Sequence, residues 1–250
     1  MIKLSKSTIG MFRQCPFRYY KTKIKGWKPA KIPEQLKKGI EIHDHLEHAT
    51  TNVKTIADVK AKIMQRPVAK EQVKDIINFF NWQSKRKLPL YVEQDFFNKE
   101  HNLSGRVDRI DINEQGKLVM VDYKSGKGKR LNTLDQEGMP MPDWSYYRFE
   151  LAIYTFLFES SHNQTIDKWG IYFTGINRYV EEPVIRQEIV EALKKVHAVR
   201  AEIQKAIDTN EWPKNYTYLC RYCEIFQNNE CDCGEGKHHE EFDENGEMVF

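Results

Sequence analysis

Two apolar runs separated by a short turn constrain this chain more than any other feature. Residues 103 to 112 (Leu-Ser-Gly-Arg-Val-Asp-Arg-Ile-Asp-Ile) and 117 to 125 (Lys-Leu-Val-Met-Val-Asp-Tyr-Lys-Ser) read as strands, and Gln115-Gly116 lies in the turn between them. Their pairing as a hairpin would bring Asp108 close to Asp122. Because side chains alternate along a strand, Lys124 projects from the same side as Asp122. Two hard carboxylates at one point favour Mg²⁺ or Mn²⁺, which polarise a phosphoryl oxygen and lower the pKa of a bound water. A lysine beside them can orient the attacking water and stabilise the developing negative charge. These are the side chains that metal-assisted phosphodiester hydrolysis requires.

A helix upstream supplies a further candidate ligand. Gly39, His43 and Glu47 recur at four-residue spacing and share one helix face, which can offer an imidazole to a metal.

The order Gly39-x-x-x-His43, Gly105-x-x-Asp108 and Asp122-Tyr123-Lys124 resembles the RecB-type nuclease domain of the PD-(D/E)XK superfamily. The resemblance covers nearly the whole chain, from Cys15 to Cys233. It implies that His43, Asp108, Asp122 and the backbone carbonyl of Tyr123 hold the metal while Lys124 serves the nucleophile. It also implies a helix after the catalytic strand carrying Gln-x-x-x-Tyr, packed beside the site and touching DNA. Here that stretch has Tyr154 in the tyrosine position and Glu150 where the glutamine is expected, a departure that adds an anion unless a cation such as Arg148 pairs it. Read from the residues alone, Tyr154 is also a core aromatic in line with Leu151 and Phe158.

The five cysteines are Cys15, Cys220, Cys223, Cys231 and Cys233. An odd count without a signal peptide points to a reducing, cytoplasmic setting in which clustered thiols bind metal rather than form disulfides. Nucleases of the resembled type, the CRISPR-associated adaptation nucleases and the AddB helicase-nuclease subunit among them, bind a 4Fe-4S cluster through one N-terminal cysteine and a C-terminal Cys-x-x-Cys plus a further cysteine. By that resemblance Cys15, Cys220 and Cys223 would staple the chain ends around a cluster, with Cys231 or Cys233 as the fourth ligand. A structural zinc on Cys220, Cys223, Cys231 and Cys233 competes with this reading, and His238 and His239 could join it.

Charge is informative by its distribution rather than its sum. The net charge is only +3, yet the first 38 residues hold eleven Lys or Arg against the single Glu34, interleaved with Phe12, Phe17, Tyr19, Tyr20 and Trp27. Such an arm can follow phosphates while its aromatics pack or stack. Lys127, Lys129 and Arg130 form a second basic cluster in a glycine-containing loop after the catalytic strand, and with Arg148 they are candidate DNA contacts. From Glu224 onward nine acidic residues face Lys237 alone, which reads as a solubilising tail. No apolar run approaches the roughly 20 residues of a membrane helix, so no membrane partner is expected.

The remaining pattern predicts a helix from Ser5 or Ser7 to about Lys21, the His43 helix over 33–49, and a helical insert of 57–65 and 69–87. Strands follow at 91–98, 103–112 and 117–125, a loop at 131–145 suited to gating the site, a helix at 146–160, a strand at 168–174 and a long helix at 181–209. The expected fold is an α/β restriction-endonuclease-like core, a small central mixed sheet flanked by helices, with the insert at about 55–87 and a C-terminal cysteine cluster. One nuclease domain would occupy residues 1–233, followed by an acidic tail over 234–250. With no Gly-x-x-x-x-Gly-Lys-Ser/Thr motif, any helicase, recombination or CRISPR adaptation partner would be a separate polypeptide. The function implied is a metal-dependent DNA exonuclease, with a non-catalytic DNA-binding or assembly subunit as the alternative.

Overall fold

In the computed structural model of the chain, residues 2–29, 34–125, 131, 133–135, 138–217, 220 and 222–231 are described. They fall into two compact units, one from 3–6 and the described part of 33–195, the other from the described parts of 7–32 and 196–250.

The first unit is built on the expected hairpin. Strand β3 (Leu103–Ile112) pairs antiparallel with β4 (Leu118–Lys124), and on its other edge with β2 (Tyr91–Asn98). Asn113 closes the turn by accepting the backbone N–H groups of Gln115 and Lys117 at 3.0 and 2.9 Å. Strand β7 (Lys168–Phe173) lies parallel to β4, and β8 (Arg178–Pro183) returns antiparallel to β7. The result is a mixed sheet flanked by helices, the restriction-endonuclease-like α/β arrangement expected from the sequence.

Two faces of β4 carry different helices, as strand alternation requires. Val119, Val121 and Tyr123 bury against α3 (Glu34–Thr50), α4 (Ile56–Gln65) and α5 (Val73–Gln83) through Ile42, Leu46, Val59, Ile76, Phe79 and Trp82. Met120, on the opposite face, meets Thr155 of α6 (Trp144–His162), which in turn accepts the Trp169 indole N–H at 2.8 Å. Gly105 lets α6 lie this close: a Cβ there would stand 2.8 Å from Leu157 and 2.9 Å from the Tyr154 ring.

Three expectations need correction. The N-terminal segment is not one helix. Leu4–Ser5 form a short strand, β1, parallel to the start of β3, and the helix that follows breaks at Cys15 into α1 (Lys6–Gln14) and α2 (Pro16–Tyr19). Pro16 disfavours helical backbone in the residue before it, and Cys15 is extended at φ −160° and ψ 107°. Likewise the long helix does not begin at Glu181: residues 178–183 are β8, reached by a tight turn through Asn177 at φ 51°, and helix α7 spans Arg186–Thr209. Finally, the 131–145 loop contains a minimal hairpin of β5 (Thr133–Leu134) and β6 (Pro140–Met141).

The second unit is helical. It holds most of α1, α2, a π-helical turn at Tyr20–Ile24, the end of α7, and α8 (Glu224–Gln227). Arg18 of α2 donates to both carboxylate oxygens of Glu224 at 2.8 and 3.0 Å, and Tyr20 stacks on Trp212 at 5.0 Å. These contacts join N-terminal and C-terminal segments within the unit.

One fully buried charge lies in the first unit. Arg109 is wholly inaccessible, with its Nε 2.5 Å from Asp111 Oδ1, its N–H groups donating to Gln83 and Tyr123 Oη, and its guanidinium 4.8 Å from the Trp82 ring centre. Removing one member of a buried ion pair strands the other. Arg109→Met should therefore lower stability by about 3–5 kcal/mol, seen as a lower denaturant midpoint at unchanged slope.

Candidate active site

The site forms where the β3–β4 ladder stops. Regular pairing ends at Arg109↔Val121, and the next donor of β4, the Tyr123 N–H, is taken by the Asp108 carboxylate at 2.7 Å. A side chain replaces the backbone acceptor at this step. The other half of β3 is paired with β1 instead, so Asp108 sits at the gap between two partners on one edge.

Helix α3 brings His43 to the same point. His43 Nδ1 is 3.6 Å from Asp108 Oδ2 and 3.8 Å from Glu93 Oε1, and one ligand atom from each of the three residues falls within 4.8 Å of the others. Burial alone would disfavour an imidazolium, but the Asp108 and Glu93 carboxylates outweigh it and hold His43 up at about 10. The carboxylates thus draw positive charge to this spot. Glu93 faces Asp108 in the β2–β3 register, between Val92↔Arg109 and Gln94↔Val107, and its backbone is left-handed at φ 47°. That conformation is uncommon for a non-glycine residue and costs about 1–2 kcal/mol. Arg106 holds the far side of Glu93 at 2.8 Å and reaches Glu47 at 2.9 Å, while Glu93 Oε1 is buried without a hydrogen bond from a described residue.

Glu93 was not legible as a site residue from its neighbours in sequence. Its only signal is positional, an acidic residue directly across the β2–β3 pair from Asp108.

The lysine side of the site is an alternating charge chain. Lys124 Nζ is 2.5 Å from Asp122 Oδ2 and 3.1 Å from Glu150 Oε2, and Lys6 Nζ approaches the same Glu150 oxygen at 2.9 Å. Burial pushes the Asp122 carboxyl up to about 7 against the pull of Lys124. Burial works on Glu150 in the same direction, but Lys124 and Lys6 overcome it and keep that carboxyl down at about 2. Lys124 is held well above the usual lysine range by Asp122 and Glu150, so it remains an ammonium. Tyr154 donates its hydroxyl to Glu150 Oε1 at 3.2 Å, and burial among carboxylates raises its pKa.

Other predicted residues are placed as follows. Arg148 does not pair Glu150; its guanidinium is engaged by Glu182 through contacts of 2.9 and 2.8 Å. The Tyr123 ring is buried in the core, 6.0 Å from the His43 ring, with only its backbone in the gap. Lys127, Lys129, Arg130, Cys233, His238 and His239 lie outside the described residues. In the second unit, Cys15, Cys220, Cys223 and Cys231 line one cavity of about 210 Å³, and none of the four is in a disulfide. Cys220 is buried, accepting the Thr217 N–H at 3.4 Å, and burial pushes the Cys223 thiol up.

A family model described as the PD-(D/E)XK nuclease superfamily matches residues 3–227. The chain belongs to that superfamily. Members of this superfamily generally use divalent metals, and the grouping of His43, Glu93 and Asp108 is compatible with that use. No curated protein matches the chain. Among solved structures, that of a "Putative exonuclease" from Eubacterium rectale superposes with a TM-score of 0.56 over 88% of this chain and 87% of its own, at 13% identity. The likeness is one of fold. A second, SSO0001, is 15% identical and covers 78% of this chain and 95% of its own at a TM-score of 0.32.

The two-lysine clamp on Glu150 gives a pH test. Because Glu150 titrates at about 2 in the folded chain against an ordinary 4.5, its contribution to stability is full above pH 4.5 and is lost as pH falls toward 2. Lys6 is 40% exposed, so its share is discounted for solvent. Lys6→Met should cost about 1 kcal/mol at pH 7. That difference should shrink steadily as denaturant titrations are repeated between pH 4.5 and 2.5.

Proposed function

We propose that this protein is a metal-dependent deoxyribonuclease of the RecB-type branch, hydrolysing phosphodiester bonds from DNA ends. The observation that carries the reading is the meeting of His43, Glu93 and Asp108 beside the Asp122–Lys124 pair. The donor set fits a hard divalent cation: two carboxylates and an imidazole, one carboxylate oxygen buried without a hydrogen bond from a described residue. His43, Glu93 and Asp108 would hold Mg²⁺ or Mn²⁺, with Asp122 and the Tyr123 carbonyl as further ligands. When bound, the ion polarises the phosphoryl oxygen and lowers the pKa of the attacking water.

The chain's own groups divide the remaining work. Lys124, kept protonated between two carboxylates, donates to the water and to the developing negative charge rather than acting as a base. Glu150 fixes Lys124 in place, and Tyr154 fixes Glu150. A shallow groove of about 400 Å³ runs beside Gly105 and Arg106, lined also by Lys3, Ser5 and Phe97, with Lys3 5.2 Å over the Phe97 ring. Basic and aromatic groups so placed suit a nucleic-acid backbone. In the second unit, the four thiols around one cavity would hold a 4Fe-4S cluster in a structural role, drawing ligands from both ends of the sequence.

Cleavage of end-labelled linear and closed circular DNA tests the activity. Wild type should degrade linear DNA with Mg²⁺ or Mn²⁺ and spare circles; EDTA or Lys124→Ala should abolish cleavage, a loss of at least about 10²-fold. Glu93→Gln should shift the metal concentration for half-maximal rate upward by about 10-fold or more. A wild-type protein that cuts nothing with either metal would overturn the proposal.

The cluster has its own test. Anaerobically purified protein should be brown and contain iron, and Cys15→Ala should lose both colour and thermal stability. Colourless protein with stoichiometric zinc would replace the cluster with a zinc site.

A further inference from the structure

At the end of the sheet where β4 and β7 begin, a cavity of about 710 Å³ is bordered by α5 and the segment after it, the β3–β4 turn, and β8. It is remote in sequence register from the nuclease site, bordering Val119 of β4 rather than Asp122 and Lys124. Its size is that of a small-molecule site.

Two buried polar atoms on its lining have no partner among the described residues. Asp111 is 6% exposed and gives Oδ1 to Arg109, but its Oδ2 accepts no hydrogen bond; Trp82 is 8% exposed, and its indole N–H donates to nothing. Both residues abut Arg109 and both line the cavity. Leaving either unmatched is costly.

The rim supplies the opposite chemistry. Arg86 lies flat against two rings, 4.7 Å from the Trp82 centroid and 4.0 Å from that of Tyr179, and its guanidinium makes no ion pair with a described residue. Lys85 and Lys87 flank it, both exposed. Of the other lining charges, Lys168 and Glu181 neutralise each other, and Asp111 is answered by Arg109. Arg86, Lys85 and Lys87 therefore face Glu114 and, secondarily, Glu181, whose carboxylate Arg86 also helps to hold down. A guanidinium held planar with its N–H edge unspent is built for a bidentate oxyanion.

We infer that this cavity is a second, non-catalytic site for a nucleotide, its phosphate on Arg86, Lys85 and Lys87 and a donor–acceptor edge of its base on Asp111 Oδ2 and Trp82 Nε1. The phosphate belongs either to a free mononucleotide or to the end of a strand; the recognition chemistry is the same. The site does not depend on the nuclease reading, since nothing in it touches the Asp122–Lys124 pair.

Calorimetric titration of the full chain in EDTA with deoxynucleoside monophosphates, inorganic phosphate and a 5′-phosphorylated oligonucleotide tests this. At least one mononucleotide should bind at one site, more tightly than inorganic phosphate by about tenfold. Arg86→Ala should weaken it by about tenfold or more, as should the surface pair Lys85→Ala with Lys87→Ala, which leaves the ring stack intact. Trp82→Phe keeps an aromatic ring and should remove the preference over inorganic phosphate. Competition by the oligonucleotide would assign the occupant as a strand end, and its failure would assign a free nucleotide. The inference is overturned if wild type binds no mononucleotide, if phosphate binds as well as the nucleotides do, or if Lys124→Ala abolishes binding while the rim variants leave it unchanged.

Discussion

The 2.7 Å hydrogen bond from the Tyr123 N–H to the Asp108 carboxylate organises the first unit of this protein. Had the β3–β4 ladder continued one step, a backbone carbonyl would have taken that donor and Asp108 would have been an ordinary strand residue. Instead the ladder stops at Arg109↔Val121 and β3 turns its other half to β1. An acidic side chain becomes part of the backbone hydrogen-bond system, which fixes its position more firmly than rotamer packing alone would. From that fixed point His43 arrives from α3 and Glu93 from β2, and Asp122 and Lys124 follow on the adjoining strand.

Charges in this unit are handled by chains rather than by isolated pairs. Buried Arg109 is answered by Asp111, with Gln83 and Tyr123 completing its donors. Partly buried Lys124 stands between Asp122 and Glu150, and Glu150 between Lys124 and Lys6. The Arg109 network and the Asp108 carboxylate meet at Tyr123, whose hydroxyl meets Arg109 and whose backbone holds Asp108. A residue read from sequence for its carbonyl thus also ties the site to the core by its other two polar groups.

The sheet's central hairpin, the His43 helix and α6 were legible because each is written locally: alternating or helical periodicity with a turn signal between. Strands β1 and β8 were not. β1 is two residues long and gains its identity from pairing with Leu103 and Ser104, nearly a hundred positions away, a tertiary fact without a local pattern. β8 carries glutamates that read as helix formers, and its strand character comes from pairing with β7. Cys15 shows the converse, since the proline after it was in plain view and sufficed to break the helix. Glu93 is intermediate: it becomes readable once the β2–β3 register is known, because register sets it across from Asp108.

Glu150 joins the missed strand to the site. In the pattern this chain resembles, a glutamine at that position is a neutral partner for its surroundings, whereas a glutamate beside Asp122 adds a second buried negative charge. Lys124 alone cannot neutralise both carboxylates. The balance is restored by Lys6, 2.9 Å from Glu150 Oε2, and Lys6 is there because it directly follows β1. Pairing of Leu4 and Ser5 with β3 delivers the lysine at the start of α1 to the carboxylate on α6. The substitution of Glu for Gln and the short N-terminal strand are therefore two parts of one arrangement: without the strand the glutamate would lack its second cation, and Lys124 would be divided between two anions with no help.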